Sequence, residues 1–190
     1  MTESNKIAEQ WSLYNLILEI ELTDSKTFLK HKNFQKGQHI LRRKQICSNL
    51  YFIESGLVKM AKKMDMKEFI LRFFSEKETL TVLNSFLYEH PTKYHLIALE
   101  DTTIKYISYR DLQQLFSKYH EVEIKFNKLQ AAAINQMMER IDDLLHQKPY
   151  DLYYSFLKNH PALTQRISLG DMSSYIGISQ VSLSRIRARK

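Results

Sequence analysis

Hydrophobic positions change period twice along this chain. Trp11, Leu13, Tyr14, Leu16, Ile17 and Ile20 recur at mixed helical spacing, and Thr23 or Asp24 stands where a cap for a second short helix, carrying Phe28 and Leu29, is expected. From Phe34 the period shortens. Short β-rich runs at 40–42, 50–53, 57–61 and 68–74 are separated by Lys36-Gly37, by Glu54-Ser55-Gly56 and by Met64-Asp65-Met66-Lys67, and two more runs follow at 94–99 and 103–107. Strands of this number and length predict a small antiparallel sandwich or barrel.

From Tyr109 the helical period returns. Leu112, Leu115 and Phe116 mark a short helix, and Val122, Phe126, Leu129, Ala133, Met137, Ile141 and Leu144 then continue at spacings of three or four. Residues 121–146 make 26 residues (146 − 121 + 1), and at about 1.5 Å each they span about 39 Å. An apolar seam of that length, with Ala131-Ala132-Ala133 permitting close approach, predicts pairing with a second copy across a two-fold axis. Packing on the chain's own β domain is the alternative. Pro149 ends the helix, 150–158 form one more, and Pro161 breaks that one.

Over 167–190 the spacing describes two short helices joined by a tight turn. Met172, Ile176, Ile178, Leu183 and Ile186 supply a core, Ser173 is the small residue where the helices cross, and Gly177 offers a cheap positive φ between them. Ser179 stands as N-cap of a second helix that runs from about Gln180 to the end. With Leu183 and Ile186 inward, Gln180, Ser182, Ser184, Arg185, Arg187 and Arg189 face outward without an acid among them. Such a face suits the DNA major groove, with Arg185 matched to guanine O6 and N7 and Gln180 to adenine N6 and N7. A basic helical hairpin that caps a domain or docks a protein is the other reading.

Composition sets outer limits. The 190 residues, 44% hydrophobic and 12% aromatic, suffice for one large domain or two small ones. A net charge of +7 favours a polyanionic partner. One cysteine, Cys47, excludes an internal disulfide and any zinc or iron–sulfur site that needs several thiolates from one chain. No apolar run is long enough for a bilayer and the polar start MTESNKIAEQ lacks a signal peptide's apolar core, so a cytoplasmic protein without membrane association is expected. His31, His39, His90 and His95 lack the spacings of a cupin metal site, and no nucleophile elbow, phosphate loop or metalloprotease motif occurs. An enzyme is not expected.

An antiparallel β domain, a long helix and a C-terminal helix-turn-helix, in this order, resemble the Crp/Fnr family of bacterial transcription regulators. The resemblance rests on Phe34-x-Lys36-Gly37, Leu50-Tyr51-Phe52-Ile53-x-x-Gly56-Leu57-Val58-Lys59, Ala98-Leu99-Glu100-Asp101, Ile107-Ser108-Tyr109, Tyr175-Ile176-Gly177-Ile178-Ser179 and Leu183-Ser184-Arg185-Ile186-Arg187. It implies an α+β fold: an N-terminal antiparallel β-roll of the cyclic-nucleotide-binding-like jelly-roll type, a long dimerisation helix, and a C-terminal helix-turn-helix of winged-helix type. The wing is expected to be truncated, because the sequence stops at Lys190. The expected boundaries are 1–108 for the sensor roll with its N-terminal helices, 109–147 for the connector and dimerisation helix, and 148–190 for the DNA-binding domain. The dimer seam would use Val122, Phe126, Leu129, Ala133, Met137 and Ile141. Ser179, Gln180, Val181, Ser182, Arg185, Arg187 and Arg189 would meet DNA. Val181 departs from the family's pattern, since it can touch a thymine methyl but cannot accept a hydrogen bond from cytosine.

The sensor departs further. Thr81-Val82 stand where nucleotide-binding members place a Gly-Glu pair, and Thr92-Lys93 where they place Arg-Ser; no glycine lies between Gly56 and Gly170. A phosphate cradle of closely approaching backbone amides is hard to build there. Tight binding of cyclic AMP is not expected and no cofactor is implied, so Leu80, Val82, Leu83 and Phe86 are read as filling an apolar cavity. Duplex DNA and a second copy of the chain are the expected partners. RNA polymerase is a further candidate, for which Arg42-Arg43-Lys44 and Lys62-Lys63 offer charge. A ligand-binding or protein-interaction module with DNA binding weakened or lost is the alternative.

Overall fold

The computed structural model describes residues 3–24, 26–65 and 67–188, with 3–10 as backbone alone. Helix α1 (Glu3–Asp24) leads into β1 (Lys30–Phe34), β2 (His39–Leu41), β3 (Asn49–Ser55), β4 (Val58–Met64), β5 (Lys67–Phe74) and β6 (Thr79–Leu80). Helix α2 (Leu83–Tyr88), strands β7 (His95–Ala98) and β8 (Thr102–Ser108), and helices α3 (Tyr109–Lys118) and α4 (His120–His146) follow. The chain continues through α5 (Pro149–Asn159), a 3₁₀ turn at Pro161–Leu163, α6 (Leu169–Ile176) and α7 (Gln180–Ala188).

The strands form two antiparallel sheets, β1-β8-β3-β6 and β2-β7-β4-β5. Successive strand residues point to opposite faces, so a strand buried on both sides reads as an unbroken apolar run. In β3, Tyr51 and Ile53 point between the sheets, toward Val58, Met60, Leu96 and Ile104, while Leu50 and Phe52 point outward into a helical layer. Strand β4 divides its residues the same way. Val58 and Met60 enter the space between the sheets, whereas Ala61 joins Ile70, Phe73 and the C-terminal helices. At the hairpin between β3 and β4, Gly56 has φ +105°, and a Cβ there would lie 2.7 Å from Thr102 Cα, so no other residue fits without moving β8.

The outer helical layer is closed by α1, α3 and the first half of α4. Phe126 lies 5.4 Å from the ring of Phe116 and 6.2 Å from that of Phe86, among Leu13, Ile17 and Phe52. The end of α1 is fixed to the α3–α4 junction by Asp24, whose carboxylate accepts from Lys118 Nζ at 2.6 Å and Tyr119 Oη at 2.5 Å.

Two sequence expectations are corrected here. Phe28 and Leu29 lie outside any helix, and the Glu21 carboxylate takes both of their backbone N–H groups. The seam assigned to a partner copy is also divided. Val122, Phe126 and Leu129 are buried within the chain, covered by α1 and α3, whereas Ala133, Met137 and Ile141 lie on the exposed second half of α4. Strand β1 escaped the sequence reading because only Phe34 of its five residues is buried, and β6 and α2 because each is very short.

Phe126→Ala removes a ring that is 3% exposed, and is expected to lower unfolding stability by about 3–5 kcal/mol, measured by urea denaturation. A loss below about 1 kcal/mol would mean that α4 is not seated as described.

Candidate nucleic-acid interface

Local sequence sets both helices of the C-terminal pair. Ser168 caps α6 by accepting the Asp171 N–H at 3.0 Å. Gly177 ends α6 at φ +86°, and the N–H groups of Gly177 and Ile178 both return to the Ser173 carbonyl, a left-handed C-terminal cap. Ser179 caps α7, its hydroxyl accepting the Ser182 N–H at 3.1 Å. Inside the pair, Met172, Ser173, Ile176 and Leu183 are buried.

Apart from half-buried Ile186, the remaining side chains of α7 face solvent. Gln180, Val181, Ser182, Ser184, Arg185 and Arg187 are exposed, Val181 at 61%, and no acid occurs in the helix. Two of these groups have local partners. The Ser179 hydroxyl serves the cap and lies 2.9 Å from the Ser182 hydroxyl. The Gln180 amide lies against Gly170, where a Cβ would approach it to 2.9 Å. Arg189 lies outside the described residues.

Charged and aromatic contacts fasten this helical pair to the β-roll and to α4 and α5. Lys59 interrupts the apolar run of β4 and lies 2.7 Å from Asp171 of α6 and 2.6 Å from Glu68 of β5. Glu68 also meets His95 Nε2 at 2.8 Å. The His95 hydrogen bond, aided by Lys59, outweighs burial and lowers the Glu68 carboxyl to about 2. Burial would depress Lys59, but Asp171 and Glu68 together raise it. Arg166, just before α6, sits between Glu76 and Glu100, with Nη2 2.7 Å from one carboxylate and 2.5 Å from the other. Arg140 of α4 stacks 3.8 Å from the ring centre of Tyr175 and donates to that residue's carbonyl, while Tyr175 packs edge-on and tilted against Phe156 and Phe73.

Sequence reasoning did not single out this set of contacts. A lysine between Val58 and Met60 is the one visible signal, because a charge inside a doubly buried strand requires a partner. Nothing in sequence spacing links Arg166 to Glu76 or Glu100.

In the roll, the Thr81 hydroxyl donates to the Asn49 carbonyl at 3.0 Å, and Val82 joins the apolar layer between the sheets. Thr92 is buried and accepts the Tyr94 N–H at 3.0 Å, whereas Lys93 is exposed. No metal-binding group of three or more side chains occurs among the described residues. Among them, too, no helix is long and apolar enough to cross a membrane.

Comparison with known proteins adds a known fold to this geometry. Residues 31–119 match the sequence profile of the cyclic nucleotide-binding domain. No curated protein matches the sequence at a significant level. Solved structures match nearly the whole chain. FixK2 from Bradyrhizobium japonicum superposes with a TM-score of 0.73 at 15% identity, over 86% of this chain and 84% of that one. The c-di-GMP-responsive global regulator CLP of Xanthomonas campestris gives 0.68 at 16% identity, over 91% and 89%. A transcriptional regulator assigned to the crp/fnr family, from Eubacterium rectale, gives 0.70 at 16% identity, over 92% and 80%. This chain has the Crp/Fnr fold, and its roll falls in the stretch that matches the cyclic nucleotide-binding domain. In Crp/Fnr terms, α4 is the connecting helix and α6 and α7 are the helix-turn-helix, here held against the roll by Lys59 and Arg166 and against α4 by Arg140.

Glu68→Gln tests the clamp through pH. A carboxylate whose pKa falls on folding contributes stability that is fully present above its ordinary value of 4.5 and is lost as pH drops toward about 2. The variant is expected to be less stable at about pH 7 and to show a flatter loss between about pH 4.5 and 2, followed by urea unfolding across that range. Parallel pH profiles for the two proteins would remove Glu68 from the account.

Proposed function

We propose that this Crp/Fnr-fold chain is a sequence-specific DNA-binding regulator that reads a near-palindromic site as a homodimer. The observation that carries the reading is the outer face of α7. Buried Leu183 fixes the helix, and Arg185, Arg187, Gln180, Val181 and Ser182 stand exposed without an acid. In the major groove, Arg185 offers a two-pronged donor to guanine, Gln180 can pair with adenine once its amide leaves Gly170, and Val181 can touch a thymine methyl. Arg187, Ser182 and the helix N-terminus near Ser179 serve phosphate. Arg189 belongs to the same basic end of the chain.

A dimer supplies the second reading head. Ile134, Met138, Ile141 and Leu145 are exposed at 55, 62, 44 and 74%, and their spacing of four, three and four residues is that of a coiled-coil seam. Met137 and Leu144 flank the stripe, and Ala133 allows close approach at its start. Pairing along this stripe would set the two α7 helices to meet successive major grooves about 34 Å apart. Val82 lies in the apolar filling between the sheets, which supports a reading in which cyclic AMP is not the effector.

Selection of bound fragments from a random DNA pool at about physiological salt tests the reading, because non-specific binding is weak there. Recovery of an inverted repeat is the expected result, and recovery of no sequence would overturn DNA reading by the ligand-free protein. Arg185→Ala is expected to weaken the selected site by about 1–3 kcal/mol and random DNA little; equal losses on both would remove Arg185 as a base reader. Ile141→Glu puts a charge into the exposed stripe and is expected to give monomers by light scattering with unchanged helix content. Unchanged mass would place the interface elsewhere.

A further inference from the structure

A second cationic cluster lies away from α7, at one end of the roll. Arg43, Lys44, Lys62, Lys63 and Lys93 line a single open cleft of about 340 Å³, with Pro91 and Thr92 as its other walls. The five come from three separate segments: the turn after β2, the end of β4 and the approach to β7. No acidic side chain lines the cleft, and Glu68, which stands opposite Lys63 in the β4–β5 ladder, is engaged with Lys59 and His95.

The backbone holds these charges together. The Lys44 N–H donates to the Thr92 carbonyl at 2.8 Å, the Thr92 N–H donates to the Gln45 carbonyl at 2.8 Å, and Ile46 bridges Pro91. The Gln45 side chain accepts the Arg42 N–H at 2.9 Å. Lys44 takes φ +68°, a left-handed conformation that costs a lysine free energy and that the paired loops impose. Like charges gathered on a stitched frame repel one another unless an anion sits among them. Lysines reach phosphate oxygens as adaptable point charges, and the cleft volume is at the lower end for small-ligand sites.

We propose that this cleft binds a small anion carrying several linked phosphate groups. It lies on the outer surface, where Arg43, Lys44, Lys63 and Lys93 are exposed, and not in the apolar space between the sheets that contains Val82 and Met60. Inorganic polyphosphate and the phosphate tail of a nucleotide share the required chemistry. The site does not depend on DNA binding by α7.

Titration calorimetry of the full chain with sodium tripolyphosphate, with ATP and with orthophosphate tests the proposal. Expected is one tripolyphosphate per chain, bound more tightly than orthophosphate. If ATP binds more tightly than tripolyphosphate, the ligand is a nucleotide; if it binds equally or less tightly, the phosphate chain alone is read. The variant R43Q/K63Q/K93Q takes one exposed charge from each segment and is expected to weaken tripolyphosphate binding about tenfold. The control K128Q/K148Q/K158Q removes the same charge from α4, α5 and the link between them and is expected to leave binding unchanged. Equal weakening in both would mean diffuse attraction and would overturn the site. So would absence of tripolyphosphate binding, including the case where R43Q/K63Q/K93Q weakens only duplex DNA binding, since the cluster would then be a DNA-backbone contact.

Discussion

Both sheets of the roll carry apolar residues on both faces, and this constraint organises everything else. Leu50 and Phe52 on one sheet, and Ala61, Ile70 and Phe73 on the other, would face water if the roll stood alone. Burying a side chain of this kind is worth about 1.5–3 kcal/mol, so each outer face needs a helical cover. On the first sheet α1, α3 and the start of α4 supply it. On the second the cover is α5 together with the helical pair, through Tyr153 and Phe156 of α5 and Met172 and Ile176 of α6. The helix-turn-helix head is thus part of the roll's own hydrophobic closure.

Polar contacts then determine the angle at which that head sits. Apolar packing is largely non-directional, but Arg166 between two carboxylates, Lys59 between Asp171 and Glu68, and Arg140 on the face of Tyr175 each admit one geometry. A bidentate or stacked arginine is a more exacting constraint than buried area. Because Lys59, Lys62 and Lys63 lie on one strand, the roll's basic end and the head's anchoring point share a single rigid element.

Much of this was legible in the sequence, and the exceptions have physical reasons. Six strands, the long helix, and the capping of the helix-turn-helix by Gly177 and Ser179 followed from period and local chemistry, which act over a few residues. The long helix misled because a 3.6-residue apolar stripe says which face is buried but not by what. Val122 and Phe126 are covered by α1, about a hundred residues earlier in the chain, whereas Ile134 and Ile141 stay exposed among the described residues. The surface of α7 was readable residue by residue, except that Gln180 folds back on Gly170. The ion pairs joining head and roll were not readable, since Arg166 is 90 residues from Glu76 and 66 from Glu100. The five-cation cleft was visible only as two short basic runs until the turns at Lys44 and Thr92 brought Lys93 beside them.

The docking of α1 also bears on how the protein is made. Phe126 emerges from the ribosome 113 residues after Leu13 (126 − 13), a delay on the order of ten seconds at about 5–20 residues per second. During that interval Leu13 and Ile17, both fully buried in the finished fold, have no completed groove to enter. Helix α1, made well before α4, is therefore among the last elements to find its place, and until then its apolar stripe is open to chaperones.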